Sequence, residues 1–197
     1  LPICYLSSIM AGFFSISGEA GGQFRTEAEA ETRAYYADSL RSGMTPTDFP
    51  YAETVFEQSQ LDRILEQGAP GEIWQPAEER NHTTGRTVRS DYGTCTSSEQ
   101  DAVKLFVLTA EGITYQSDYP AGSLMKTVLK DENWTSGADG TVETYTDNEG
   151  RTVLERRIHT ATNGTEHLDT YYVYDDLNRL RYVLPPQAED TFRQPGE

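Results

Sequence analysis

A regular series of turn signals in the second half of the chain constrains its fold more than any other feature. From about residue 87 onward, short segments rich in Val, Leu, Thr and Tyr alternate with turn residues. These turn residues are Gly93, Gly112, Gly122, Asp139-Gly140, Gly150, Asn163-Gly164 and Asn178. They lie 10 to 19 residues apart, which suits consecutive hairpins and not crossover helices. The sequence therefore predicts a mainly β fold, with an antiparallel meander of hairpins over residues 91–197.

Two turns near the end of the chain agree on the register of the last three predicted strands. Asn163-Gly164 is typical of a two-residue type I′ turn, and it sets Leu154 opposite Val173. A four-residue turn over 175–178 then sets Val173 opposite Leu180. Both turns place the same seven apolar residues on one face of the sheet. This face comprises Leu154, Ile158, Tyr171, Val173, Leu180, Tyr182 and Leu184.

The first ninety residues are predicted to be a mixed segment with an N-terminal arm, one or two short helices and long loops. Residues 1–18 carry no charge, but Pro2 and several Ser and Gly interrupt them, which favours a strand or ordered arm over a membrane span. Thr26-Glu27-Ala28-Glu29 has the form of a helical capping box, and alanines follow at helical spacing. This pattern predicts a helix over about 27–41. Because no initiator Met is present, we expect a piece of a longer protein.

Shorter elements are predicted after this helix. Glu53-Thr54-Val55-Phe56 favours a short strand, because Thr, Val and Phe are enriched in strands. The apolar residues between Leu61 and Leu65 favour one or two helical turns that end at Gly68. Residues 68–87 are rich in Gly and Pro, which predicts a long irregular loop.

Composition argues against one large class of function. The chain has 32 acidic and 16 basic residues, which gives a formal net charge of -16. A nucleic-acid-binding protein needs cationic side chains against phosphate, so we expect no nucleic-acid partner. The 7 Phe, 12 Tyr and 2 Trp indicate a folded chain, because disordered chains are poor in aromatic residues. Cys4 and Cys95 either form a disulfide or remain free, and neither lies in a CxxC motif.

Two turn motifs of the form D-x-x-[G/N]-R occur 28 residues apart in the predicted meander. They are Asp147-Asn148-Glu149-Gly150-Arg151, preceded by Tyr145, and Asp175-Asp176-Leu177-Asn178-Arg179, preceded by Tyr174. We expect each aspartate to accept hydrogen bonds from turn N–H groups, and the residue at the fourth position to adopt the left-handed conformation. The arginine opens the return strand, where it can lie over a tyrosine ring. Each unit is a single hairpin, which cannot bury its own apolar face.

At these residues the chain resembles the Rhs/YD-repeat family of large bacterial surface and secreted proteins. The two tyrosine–aspartate units are the mark of that family, and further blocks are similar to the segment that precedes its repeat array. These blocks are 51–57, 61–71, 119–122, 169–176 and 180–186. Together they cover most of residues 50–186.

The resemblance implies hairpins that stack into a hollow β shell, which encloses a toxin domain in toxin-bearing members. It implies a structural segment at the entrance of the repeat array, with no enzymatic activity, no catalytic residue and no cofactor. The implied partners are neighbouring repeats of the same longer chain, and the implied location is secreted or on the surface of a bacterium. We also expect an unpaired sheet edge near the C-terminus, through which the chain would weakly self-associate.

Two alternatives are also compatible with the sequence. Trp74 and Trp134 lie in loop-like contexts, and exposed aromatic rings can stack on sugars, which favours a carbohydrate-binding surface module with a glycan partner. An acid-dependent hydrolase needs two carboxylates across a cleft, but 32 acidic residues do not nominate a particular pair. His159 and His167 fall on opposite sides of the predicted sheet, so we expect no metal site from them.

Overall fold

The computed structural model is mainly antiparallel β, with 43% strand and 8% helix, which confirms the predicted fold class. It describes residues 28–39, 43, 45–162, 164–186 and 188. The chain divides into two compact units, Leu1–Arg89 and Ser90–Glu197. Among the described residues, no helix has the length and apolar character needed to cross a membrane.

The N-terminal unit contains one α-helix, a β-hairpin and a short 3-10 helix. These elements are α1 (Ala28–Ala37), β1 (Glu53–Phe56), β2 (Ile64–Gly68) and η1 (Glu72–Trp74). The helix ends at Ala37, earlier than the predicted residue 41, and is followed by Asp38 and Ser39, which are residue types that favour caps and turns over helix interiors. The strand predicted over 53–56 is confirmed. The predicted arm over 1–18 and the capping residue Thr26 lie outside the described residues.

The prediction of helical turns between Leu61 and Gly68 is wrong, because Ile64–Gly68 is a strand. β2 pairs antiparallel with β1, with Glu53 opposite Gly68. The hairpin is closed by Glu57, whose N–H donates to the Arg63 carbonyl at 2.9 Å and whose carboxylate binds the Arg63 guanidinium at 2.7 and 2.8 Å. Pairing with β1 therefore outweighs the local helical pattern.

Gly68 has a packing role in place of the predicted role as a helix stop. A Cβ atom at this position would lie 2.5 Å from the Trp74 carbonyl oxygen and 2.8 Å from Pro76 Cδ. The end of β2 thus approaches the chain around η1 so closely that only glycine fits. Apart from η1, residues 69–87 are irregular, as the Gly and Pro content predicts.

The C-terminal unit consists of a large antiparallel sheet and a separate two-stranded hairpin. β3 (Val88–Thr94) starts in the N-terminal unit and ends in the C-terminal one. The remaining strands are β4 (Lys104–Thr109), β5 (Gly112–Asp118), β6 (Met125–Lys130), β7 (Val142–Thr146), β8 (Thr152–Ala161), β9 (Gly164–Tyr174) and β10 (Leu180–Leu184). β4 pairs with β5, whereas β6 to β10 are neighbours in chain order, which is the predicted meander.

Gly93 lies inside β3, so the turn predicted at this residue is wrong. Its backbone is not in the left-handed region, and a Cβ atom there would meet nothing within 4 Å. Gly93 thus sits in an open stretch of strand, where the residue type alone does not force a turn.

The β8–β9 register differs by two residues from the predicted one, whereas the β9–β10 register differs by one residue at Leu180 and by two from Tyr182 onward. Leu154 pairs with Tyr171 and not with Val173, and Val173 pairs with Tyr182 and not with Leu180. Because side chains alternate with a period of two, a shift of two leaves the residues of β8 and β9 on their predicted faces. Leu180, which is shifted by one, lies opposite Tyr174 and therefore on the other face. The β8–β9 turn follows Ala161, which pairs with Gly164, and Asn163 itself lies outside the described residues.

The apolar face predicted for β8, β9 and β10 is buried except at Leu180 and Tyr182 of the last strand. Leu180 and Tyr182 are 48% and 44% exposed, because β10 ends the strand order and an irregularity between them breaks the alternation. The buried members of the predicted face are Leu154, Ile158, Tyr171, Val173 and Leu184. The β4–β5 hairpin packs on this face, with Phe106 edge-on to Tyr171 at 5.0 Å between ring centroids.

Candidate functional site

The first D-x-x-[G/N]-R turn, between β7 and β8, is closed by its aspartate. Asp147 Oδ1 accepts hydrogen bonds from the N–H groups of Glu149 at 2.9 Å and Arg151 at 3.0 Å. Asp147 Oδ2 binds Arg151 Nε and Nη2, each at 2.7 Å. Gly150 has φ 80°, and its N–H donates to the Asp147 carbonyl at 3.0 Å. One carboxylate thus organises both the backbone and the arginine of this turn.

The second turn, between β9 and β10, repeats this hydrogen-bonded unit. Asp175 Oδ1 accepts from the N–H groups of Leu177 and Arg179, each at 3.0 Å. Asp175 Oδ2 binds Arg179 Nε and Nη2, each at 2.8 Å. Asn178 has φ 59°, and its N–H donates to the Asp175 carbonyl at 2.9 Å. The turn spans five residues and not the four predicted, because Asp175 N–H bonds to the Arg179 carbonyl at 3.0 Å.

These contacts favour the charged form of both aspartates. Burial opposes the charge of Asp147, but the N–H and guanidinium of Arg151 hold the pKa of its carboxyl below the usual range. The backbone N–H of Arg179 is the largest influence on Asp175, and with the Arg179 side chain it lowers the pKa of that carboxyl. Both turns therefore depend on ionised aspartates.

Arg151 connects the first turn to the second. Its Nη1 donates to Asn178 Oδ1 at 2.6 Å, while Nε and Nη2 remain on Asp147. Its guanidinium carbon lies 5.2 Å from the centroid of the Tyr174 ring. The Tyr174 hydroxyl in turn donates to the Thr152 carbonyl at 3.1 Å. The arginine of one turn thus contacts both the aromatic residue and the fourth residue of the next turn.

Arg179, the matching arginine of the second turn, faces solvent. Its side chain is 61% exposed, against 27% for Arg151. It is followed by β10, the last strand in the order of the sheet, on which Leu180, Tyr182 and Val183 are all exposed. The end of the sheet therefore presents an apolar strand edge next to an arginine of the repeating turn.

Tyr145 and Tyr174, which precede the two turns, occupy different positions. Tyr145 is two residues before Asp147 and is fully buried. Tyr174 immediately precedes Asp175 and lies on the other face, where it meets Arg151. Val173, which is buried, is the residue that matches Tyr145 by spacing. The turns therefore repeat, but the tyrosines before them do not.

A buried cluster of charged residues that the sequence did not nominate surrounds Tyr145. Its hydroxyl lies between the carboxylates of Asp101 and Glu143, the latter at 2.8 Å, and they share its one proton as acceptors. Lys126 Nζ binds the same two carboxylates, each at 2.8 Å. Burial, followed by these two carboxylates, raises the pKa of Tyr145. Burial opposes the charges of Asp101 and Lys126, but their hydrogen bonds lower the pKa of Asp101 and raise that of Lys126.

A second buried pair lies beside this cluster. Arg156 binds Asp169 across β8 and β9, and it also donates to the carbonyls of Gln100 and Ala102 at 2.7 and 3.1 Å. Burial opposes the charge of Arg156, but Asp169 raises the pKa of its guanidinium. The predicted register set Arg156 opposite Tyr171, which hid this pair. With the observed register, two opposite charges directly across the strands would have been a recognisable signal.

The two tryptophans proposed for sugar stacking each have a cation over one ring face. Arg86 lies 5.3 Å from the Trp74 ring centroid in the N-terminal unit. Lys130 lies 4.5 Å from the Trp134 ring centroid in the C-terminal unit, where the indole N–H donates to the Gly137 carbonyl at 2.9 Å. Both rings are partly buried. The Trp74 ring therefore contacts its own loop, and the Trp134 ring contacts its own loop and the end of β6.

The remaining candidate residues lie apart from one another. Cys95 is a buried free thiol whose sulfur contacts the Pro120 carbonyl at 3.3 Å, and Cys4 lies outside the described residues. His159 pairs with Glu166, and His167 pairs with Ile158, which leaves the two histidines on opposite sides of the sheet. Among the residues that the structure describes, no group of three or more His, Cys, Asp and Glu could hold a metal ion.

The N-terminal part of the chain matches a family without an assigned function. Residues 13–88 match the model described as "Domain of unknown function (DUF6443)". No curated protein matches the chain, and no solved structure matches it. The matched range lies within the N-terminal unit, so the two repeating turns of the C-terminal unit fall outside it.

Proposed function

We propose that this chain is a non-enzymatic structural segment of a large bacterial surface or secreted protein of the Rhs/YD-repeat type. Its hairpins would stack on neighbouring hairpins of the same longer polypeptide and contribute to a β shell. The observation that carries this proposal is the contact from Arg151 of one turn to Asn178 of the next. Such a contact can be repeated at every further turn of the same form.

The exposed edge of β10 supports a stacking role. Leu180 and Val183 are each 48% exposed, and a strand edge of this kind is a template for pairing with another strand. A single hairpin is marginally stable in water and gains stability when a further strand covers its apolar residues. The proposed partner is therefore the next hairpin of the parent chain.

The charged residues of the C-terminal unit support a non-enzymatic role. The buried carboxylates of Asp101, Glu143 and Asp169 are each bound to Lys126 or Arg156. A hydrolytic carboxylate must instead face substrate or water across a cleft. The buried charges are therefore assigned to holding the β4–β5 region on the sheet.

Amide hydrogen exchange on the full gene product tests this proposal. Amides of β10 should exchange at least tenfold more slowly in the full-length protein than in the 197-residue chain, because a following strand would occupy the edge. The central strand β8 is the internal reference and should be protected in both samples. Equal exchange of β10 in both samples would overturn the stacking role.

The same chain can be screened against a glycan array to test the sugar-binding alternative. The structural proposal expects no glycan to be retained by the chain. Retention that is lost in both Trp74→Ala and Trp134→Ala, but not in Tyr92→Ala, would favour a carbohydrate-binding module instead.

A further inference from the structure

We propose that Arg179 and β10 form a recognition surface for a further hairpin whose turn has the pattern Tyr-Asp-x-x-Asn. This inference rests on the stacking role proposed above and adds the chemistry by which one hairpin selects the next. The occupant is a strand pair that carries a tyrosine directly before the turn aspartate and an asparagine at the fourth position.

The contact already present between the two turns defines the rule. Arg151 keeps two nitrogens on Asp147 and donates the third, Nη1, to Asn178 Oδ1 at 2.6 Å. Its guanidinium lies over the ring of Tyr174, and the hydroxyl of that tyrosine donates to the Thr152 carbonyl at 3.1 Å. Each of these contacts involves a side chain that a Tyr-Asp-x-x-Asn turn supplies. Glycine at the fourth position offers no side-chain oxygen to Nη1.

The equivalent residues at the end of the sheet lie 28 positions later in the chain. Arg179 is equivalent to Arg151, and Leu180 is equivalent to Thr152. Arg179 holds Asp175 with Nε and Nη2, as Arg151 holds Asp147. Within the described part of the chain, Arg179 Nη1 has no acceptor, and its side chain is far more exposed than that of Arg151. The surface thus offers one guanidinium donor beside the edge of β10.

A second copy of the chain does not fit this surface. Two β10 edges that pair antiparallel place their Asp175 turns at opposite ends of the joint sheet. Arg179 of one copy would then lie far from Asn178 of the other. The next turn of a meander, by contrast, lies at the same end of the sheet as the turn two strands before it, as the Asp147 and Asp175 turns do. The geometry therefore selects a following hairpin over self-association.

A chain with one added repeat tests the inference. Residues 157–184 are repeated once directly after Leu184, which keeps the 28-residue phase and creates a second Tyr-Asp-x-x-Asn turn. The matched control replaces the added asparagine by glycine, which keeps the left-handed backbone but removes the acceptor. Amide exchange of β10 should be slowest with asparagine and about tenfold faster with glycine, as expected for one charge-assisted hydrogen bond.

Arg179→Lys in the added-repeat chain completes the test. Lysine keeps the positive charge beside Asp175 but loses the planar fork that reaches two partners. In the version with asparagine in the added turn, Arg179→Lys should make the β10 amides exchange about tenfold faster. In the version with glycine in that turn, the same substitution should have little effect on β10 exchange. Equal protection by the asparagine and glycine versions, or an Arg179→Lys effect that is the same in both, would overturn the recognition rule. Loss of protection in every version would instead overturn the stacking role itself.

If the extended chain does not fold, a double-mutant cycle in the chain without the added repeat tests the same contact. Arg151→Lys and Asn178→Gly should each lower the ratio of folded to unfolded protein. If the two residues interact, the double variant should keep a ratio about tenfold higher than the one obtained by multiplying the two single effects. Purely multiplicative effects on that ratio would show that the turns are not coupled through this contact and would overturn the rule.

Discussion

Arg156 on β8 and Asp169 on β9 form a bidentate ion pair directly across the two strands, with both N–O distances at 2.8 Å. Their side chains are only 4% and 6% exposed, and they lie on the same face as the apolar core. All three guanidinium nitrogens of Arg156 have acceptors, because the carbonyls of Gln100 and Ala102 take the other hydrogen bonds. The pair thus fixes the loop before β4 to the sheet.

Removing one partner of this pair should destabilise the C-terminal unit strongly. Asp169→Asn leaves the Arg156 charge buried without its counter-charge, which should lower the free energy of unfolding by about 3 kcal/mol. Urea unfolding followed by circular dichroism measures the difference. Glu155→Gln is the matched control, because Glu155 pairs with the exposed Arg157 on the other face and should lose under about 0.5 kcal/mol. Similar losses in both variants would contradict the role given to the buried pair.

The fourth position of the first turn should tolerate asparagine better than alanine. Gly150 has φ 80°, and a Cβ atom there would meet nothing within 4 Å, so the penalty of substitution is conformational and not steric. Gly150→Ala should lower the free energy of unfolding by about 1 kcal/mol, and Gly150→Asn by less. Thermal unfolding of both variants provides the comparison.

Gly93→Ala is the control for that pair of variants. Its surroundings are equally open, but its backbone is not in the left-handed region. Alanine there should leave stability unchanged or raise it slightly. A loss at Gly93 as large as at Gly150 would mean that the positive φ is not the cause.

Acid should weaken the turns through their aspartates. The pKa of Asp147 is below its ordinary value of about 4, so the stabilisation by its charged form is complete above that pH and is lost as the pH falls towards the folded-state pKa. Asp147→Asn should have a lower free energy of unfolding than the parent at pH 7. Between pH 4 and pH 2, its free energy of unfolding should fall by less than that of the parent. Equilibrium unfolding across this range gives the slopes, with the exposed Asp176→Asn as control. A slope in Asp147→Asn as steep as in the parent would contradict the assignment.

The sequence specified the β meander because its information is local. Turn residues and alternating apolar residues lie within each hairpin, so the strands around Gly150 and Asn178 could be placed before the structure was known. The β8–β9 register was displaced by two residues, and the β9–β10 register by one residue before a bulge and by two after it. Local sequence decides neither where a turn closes nor where a strand bulges. The helical turns predicted between Leu61 and Gly68 failed because pairing with β1 is a non-local interaction.

The candidate site was predictable only in part for the same reason. The roles of Asp147 and Asp175 follow from turn chemistry within five residues. The partner of Arg151, by contrast, is Asn178, which is 27 residues away, and the expected stacking of Arg179 on a tyrosine does not occur among the described contacts. The cluster around Tyr145 brings together residues from 101 to 143, which only the folded topology could assemble.

The buried hydroxyl of Tyr145 should make stability depend on alkaline pH. Burial and the carboxylates of Asp101 and Glu143 raise its pKa, so its contribution is complete below the unfolded-state pKa of about 10 and is lost as the pH rises above it. Tyr145→Phe should be about 2 kcal/mol less stable at pH 7, because the two buried carboxylates lose the hydroxyl donor that they share.

The stability advantage of the parent over Tyr145→Phe should then shrink from pH 10 upward. Urea unfolding at pH 7, 9, 10 and 11 measures this difference. Tyr182→Phe on the exposed strand β10 is the matched control and should stay within about 0.5 kcal/mol of the parent at pH 7. A gap between the parent and Tyr145→Phe that stays constant up to pH 11 would show that the hydroxyl does not hold its proton against the two carboxylates as the geometry requires.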